Sequence, residues 1–201
     1  FILLRSIGRG RTRPDRWKHL QDLLAGTGQV RVTHSVGEAY DTVLEFLREK
    51  YACIVADGGD GTLHCIVNLV REGLEQLRGR PSAPGDHPDY PVILPANGGT
   101  INAIARRAGI VGHTDGILKV LNACVREGRP VPLEPVESLF IEGVQVIDGR
   151  EVPFRRIAFA AAIAGIAQHF FAEYYAVPIR GPKRIAQIIA RICGSVAINS
   201  P

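Results

Sequence analysis

The chain has 201 residues, 46% of them hydrophobic and 22% charged, and its 24 Lys and Arg against 20 Asp and Glu leave a formal charge of +4. This composition excludes intrinsic disorder, collagen and coiled coil, which need depleted or biased sequences, and the length suits one domain or two small ones. The mild positive balance suits phosphate groups or an anionic membrane surface and is too small to argue for nucleic acid.

Residues 1–4 form a short apolar run that predicts a first strand, and the stretch to Arg13 reads as a basic loop punctuated by Gly8 and Gly10. Pro14 opens a predicted helix with Trp17, Leu20, Leu23 and Leu24 on one face, closed by Gly26 and Gly28. A second strand is expected over 30–33. The next helix spans 37–49, with Tyr40, Val43, Leu44 and Leu47 on one side. Residues 52–56 are continuously apolar and end in Asp57, the pattern of a strand buried on both faces. Ile66, Val67, Val70, Leu74 and Leu77 trace a further amphipathic helix. Residues 79–91, rich in proline, predict a surface excursion, followed by a strand at 92–94 and a short helix near 101–107. A helix over 115–126 would point Ile117, Val120, Leu121 and Cys124 inward. This strand–helix alternation predicts an α/β fold, a Rossmann-like parallel sheet covered on both faces.

After about residue 132 the pattern changes. Residues 140–147, the Asp148-Gly149 turn and residues 152–164 read as a hairpin. A helix is expected over 182–198, with Ile185, Ile188, Ile189 and Ile192 on one stripe. The expected organisation is an α/β domain over 1–132 and the incomplete start of a β-rich second domain over 133–201. Cys53, Cys65, Cys124 and Cys193 form no CxxC pair and sit among apolar neighbours, so they read as reduced, buried thiols of a cytoplasmic protein. The longest apolar run, 157–167, is about half of the roughly 20 residues a membrane-spanning helix needs. The absence of methionine and the opening on Phe1 point to a piece of a longer chain.

Two glycine loops carry the chemistry. Asp57-Gly58-Gly59-Asp60-Gly61-Thr62-Leu63 follows one predicted strand and precedes a helix, and Pro95-Ala96-Asn97-Gly98-Gly99-Thr100-Ile101-Asn102 repeats the arrangement after the next. In a parallel sheet both lie at the carboxyl edge, where ligands bind. There the helix-start amides face an arriving anion. Asp60 would repel phosphate directly, so it suits a divalent ion, a ribose or amide group, or a proton. Neither loop is a Walker A motif or a GxGxxG fingerprint.

On these residues the chain resembles the diacylglycerol kinase catalytic domain superfamily, which includes bacterial lipid kinases and sphingosine kinases. Gly58 to Thr62 reproduces its GGDGT motif, and Leu94-Pro95 with Gly99-Thr100-Ile101-Asn102 is similar to its Leu-Pro-x-Gly-Thr-x-Asn motif. The resemblance implies phosphoryl transfer from ATP, with Mg2+, to a lipid hydroxyl, diacylglycerol-like or sphingoid. It implies an ATP cradle of Thr33, Gly58, Gly59, Asp60, Gly61, Thr62, Leu63, His64, Gly99, Thr100 and Asn102, with Arg9 and Arg11 near the phosphates. Asp60 is the catalytic candidate. The implied setting is cytoplasmic and peripheral to an anionic membrane, with a lipid substrate as partner, no nucleic acid, and oligomerisation left open. Arg5-Ser6, Cys65, Ala103 and Gln168 depart from the family pattern, the last three where many members carry an acid. Two alternatives therefore stay open: an NAD kinase, which shares GGDGT, and a nucleotide-binding regulatory module without catalysis.

Overall fold

The structure, a computed structural model, describes residues 2–6, 14–79, 90–99, 101–159, 170, 173–174, 176 and 182–199. The predicted basic loop through Arg9 and Arg11 lies outside the described residues. So do most of the 79–91 excursion, Thr100, Gln168 and the Cys193 side chain.

Four strands, β1 (Ile2–Ser6), β2 (Gln29–Thr33), β3 (Cys53–Ala56) and β4 (Val92–Pro95), form one parallel sheet in the order β2-β1-β3-β4. The helices between them are α1 (Pro14–Leu23), α2 (Val36–Arg48) and α3 (Asp60–Arg78), and α4 (Ala103–Arg107) and α5 (Thr114–Arg126) follow β4. Alternation along β3 divides the core. Ile54 and Ala56 pack with Val43 and Phe46 of α2 and Ile66, Val70 and Leu74 of α3. Val55 packs on the opposite face with Leu20 of α1 and Leu118 and Leu121 of α5. The sheet is thus covered on both faces, as continuous apolar strands require.

Helix faces deviate locally from their periodicity. Trp17, Leu77 and Val120 are exposed, whereas Ala39, Phe46 and Leu118 are buried. The α2 start is capped from both sides: the N-cap Ser35 accepts from the Glu38 N–H at 3.1 Å, while the Glu38 carboxylate accepts from the N–H of His34, one residue before the cap, at 2.7 Å.

An antiparallel hairpin follows, β5 (Leu139–Ile147) and β6 (Arg150–Ala158), in register from Leu139↔Ala158 to Ile147↔Arg150. Asp148 and Gly149 both take positive φ, 49° and 75°, which a two-residue type I′ turn demands and Asp-Gly suits. The hairpin is held to α3 by Asn68. Its Nδ2 donates to Ile157 O at 2.9 Å and its Oδ1 accepts from the Ile157 N–H at 2.8 Å. The chain divides into two compact units, Phe1–Phe159 and Ala160–Pro201. The second contains α6 (Pro182–Asn199), on which Ile188 is buried and Ile185 and Ile189 are exposed.

Candidate functional site

The strand order places a topological switch beside β1: the chain crosses from β1 to β2 on one side and returns past β1 to β3 on the other. In open α/β sheets the crevice beyond such strand ends is where ligands bind. The loop leaving β3 turns at once, with the Gly58 N–H donating to Ala56 O at 3.1 Å. Gly59 is the extended residue before α3, and the first intrahelical bond runs from the Leu63 N–H to Gly59 O at 3.0 Å. The N–H groups of Asp60, Gly61 and Thr62 therefore have no acceptor within the helix, and the N-cap residue, Gly59, has no side chain to cap them. Such an array, at the positive end of a helix dipole, suits an anion.

The second loop is seated on the first, backbone against backbone. A Cβ on Gly99 would overlap the Gly59 Cα, and one on Gly98 would lie 2.7 Å from Asp57 Oδ1 and 3.0 Å from Gly58 N. One on Gly58 would overlap the Thr62 side chain. Asn102 sits in the left-handed region at φ 53° and closes its own loop. Its Oδ1 accepts from the Gly99 N–H at 3.1 Å, and its Nδ2 donates to Gly99 O at 2.9 Å and Asn97 O at 3.3 Å. The Asp60 carboxylate crosses to the neighbouring loop, where Oδ2 accepts from the Ala103 N–H at 3.0 Å and Oδ1 from the Ile104 N–H at 3.1 Å.

The remaining expected site residues fall into three groups. Thr33 ends β2 opposite Ser6 and is buried; Leu63 is a core residue of α3; His64 is half-buried, its carbonyl accepting from Asn68 Nδ2. Gly61 is exposed with open space around it. Arg9, Arg11 and Thr100 lie outside the described residues.

Sequence reasoning missed Thr114, which the structure places as the first residue of α5. Its buried hydroxyl lies 3.1 Å from Asp57 Oδ1 and 2.8 Å from Ala96 O, tying α5 to the ends of both loops. A threonine at a helix start is a capping signal, but nothing local points it at residues 57 and 96. A cavity of about 760 Å³ opens between the second loop, the start of α5 and Arg16 of α1. Its Asp115 meets Arg16 at 3.0 Å and His19 at 2.9 Å. Burial pushes the Asp115 carboxyl up, but the bonds from His19 and Arg16 outweigh it and hold the group below the usual carboxylate range.

Thiol chemistry finds no support at Cys53, which burial pushes up to about 11, or at Cys65, raised by burial and the Glu72 charge. Among the described residues no three His, Cys, Asp or Glu side chains gather as a metal site, and both Asp60 oxygens already accept N–H bonds. The loop amides suit phosphate, and a Mg2+ carried by phosphates asks only one or two carboxylates of the protein. No helix among the described residues is long and apolar enough to cross a membrane.

Comparison with known proteins agrees with this geometry. Two curated relatives from Pseudomonas aeruginosa, strains PAO1 and UCBPP-PA14, each named "Probable lipid kinase YegS-like", are 39% and 38% identical over 109 residues. These alignments cover 54% of this chain and 30% of each relative, so the chain spans less than a third of their length. The model of the diacylglycerol kinase catalytic domain matches residues 4–132, a stretch that takes in both glycine loops and all of α5. By that match, the chain belongs to the diacylglycerol kinase catalytic domain family.

Proposed function

We propose that the chain carries the nucleotide-binding part of an ATP-dependent lipid kinase that transfers the γ-phosphoryl group to a lipid hydroxyl, diacylglycerol-like or sphingoid. The observation that carries this reading is the seating of Gly98-Gly99 on Gly58-Gly59 beside the uncapped first turn of α3. Phosphoryl transfer needs little covalent participation by the protein; positioning and charge neutralisation do most of the work. In this reading Gly58 to His64, Gly99, Thr100, Asn102 and Thr33 form the nucleotide cradle, Arg9 and Arg11 attend the phosphates, and transfer depends on Asp60. The γ-phosphorus bonds to the lipid oxygen, its bond to the β–γ bridging oxygen breaks, and the hydroxyl proton leaves to a base. Mg2+ belongs to the proposal as the counter-ion that the triphosphate brings with it.

Residues 1–132 would be the nucleotide-binding domain and 133–201 the opening of a β-rich domain, with the lipid met at an anionic membrane surface on the cytoplasmic side. The test is transfer of label from γ-labelled ATP by the whole protein, offered a panel of lipids and NAD. Label in a lipid is the expected result. Label in NAD would reject the lipid reading, and ATP binding without transfer to any acceptor would make the chain a nucleotide-binding regulatory module.

A further inference from the structure

We propose that Asp60 is a positioning residue: its carboxylate clasps the start of α4, holds the second glycine loop against the first, and affects phosphoryl transfer through that clasp. The inference rests on the nucleotide site proposed above. Asp60 is the first residue of α3, and the two amides it accepts, Ala103 and Ile104, open a helix of five residues some 43 positions later. So short a helix has little stability of its own, and the residue before it leaves its amides uncapped. The Asn102 side chain is engaged with Gly99 and Asn97 instead. Asp60 supplies what Asn102 does not, one carboxylate oxygen to each amide. Such charge-assisted bonds are about twice as strong as neutral ones.

The contacts close a ring. Asp60 holds Ala103, the next residue after Asn102; Asn102 fixes the amide and carbonyl of Gly99; Gly99 lies on Gly59, which directly precedes Asp60. Because Gly59 and Gly99 have no room for even a methyl group between them, opening the clasp shifts the second loop relative to the α3 amides. The two bonds take one lone pair on each oxygen, so a proton-accepting or metal-ligating role is a separate alternative that the test distinguishes.

The test uses the whole protein with Asp60→Asn, which keeps one acceptor oxygen in place, and Asp60→Glu, which keeps the charge but moves it by a methylene. Two variants are used so that, should one unfold, the other decides. Without nucleotide, hydrogen exchange at the Ala103 and Ile104 amides should accelerate at least about tenfold in each, with α5 amides unchanged as the internal reference. In transfer assays the KM for ATP should rise about tenfold with kcat less affected. The pH profile of Asp60→Asn should keep its shape, and excess Mg2+ should not restore activity. Unchanged exchange at the two amides, loss of the acid limb of the pH profile, or rescue by Mg2+ would overturn the proposal. If exchange accelerates as expected while the unaltered protein transfers no phosphoryl group, the clasp stands as a structural device and the kinase reading fails.

Discussion

Gly58, Gly98 and Gly99 are required by their neighbours: each lies where a Cβ would meet the other loop or the Thr62 side chain. Gly61 differs, with nothing within 4 Å of where its Cβ would be. Gly99→Ala should therefore push two backbones apart, destabilising the protein by about 1–3 kcal/mol and weakening ATP binding. Gly61→Ala should leave stability unchanged or raise it by up to about 1 kcal/mol, since it replaces glycine near a helix start. Urea unfolding with ATP titration separates the two. A loss of ATP affinity in a fully stable Gly61→Ala protein would report the close approach of the ligand itself. The glycine pairs were legible in the sequence as turn residues. The true constraint on Gly98 and Gly99 was not, because it comes from a loop some 40 residues away that only strand pairing brings alongside.

Single polar residues join the elements that frame the site. Asn68 satisfies both the N–H and the C=O of Ile157 from within the buried seam between α3 and β6. Asn68→Ala would leave both groups unpaired and should destabilise the protein by about 2–4 kcal/mol, measured as a lower urea midpoint with an unchanged slope. Asp115 links α1 to α5 through Arg16 and His19. Its folded value is depressed, so its contribution is present above the unfolded carboxylate value near 3.9 and is lost as pH falls through the lower folded value. Asp115→Asn should flatten the acid side of the stability–pH curve, read by thermal melts between pH 2 and 6 on the ordinary carboxylate scale. Helices and strands were largely readable from periodicity and glycine punctuation. The inward faces of α1, α3 and α5 were readable only in part, since Trp17, Leu77 and Val120 border the buried stripe and neighbouring elements decide which border residues are covered.

At the scale of the molecule, parallel strands in the order β2-β1-β3-β4 put every strand's carboxyl end on one edge and make neighbours of the loops after β3 and β4. Alternating strands and helices predicted the parallel sheet, and the repeated Gly-Gly motif predicted two glycine loops side by side at its carboxyl edge. The Asp60 bonds to α4 and the Thr114 link to Asp57 were hidden, because both depend on strand adjacency rather than on local pattern. On the proposed reading the two loops make one seat for a triphosphate. That seat is tested most directly by following backbone amide resonances of the isotope-labelled protein during titration with ATP and Mg2+. Saturable shifts are expected at Asp60, Gly61 and Thr62 together with Asn97, Gly98 and Gly99, all following one dissociation constant. Saturable ATP binding that leaves the amides of residues 60–62 unmoved, or moves the two loops with different constants, would contradict this reading.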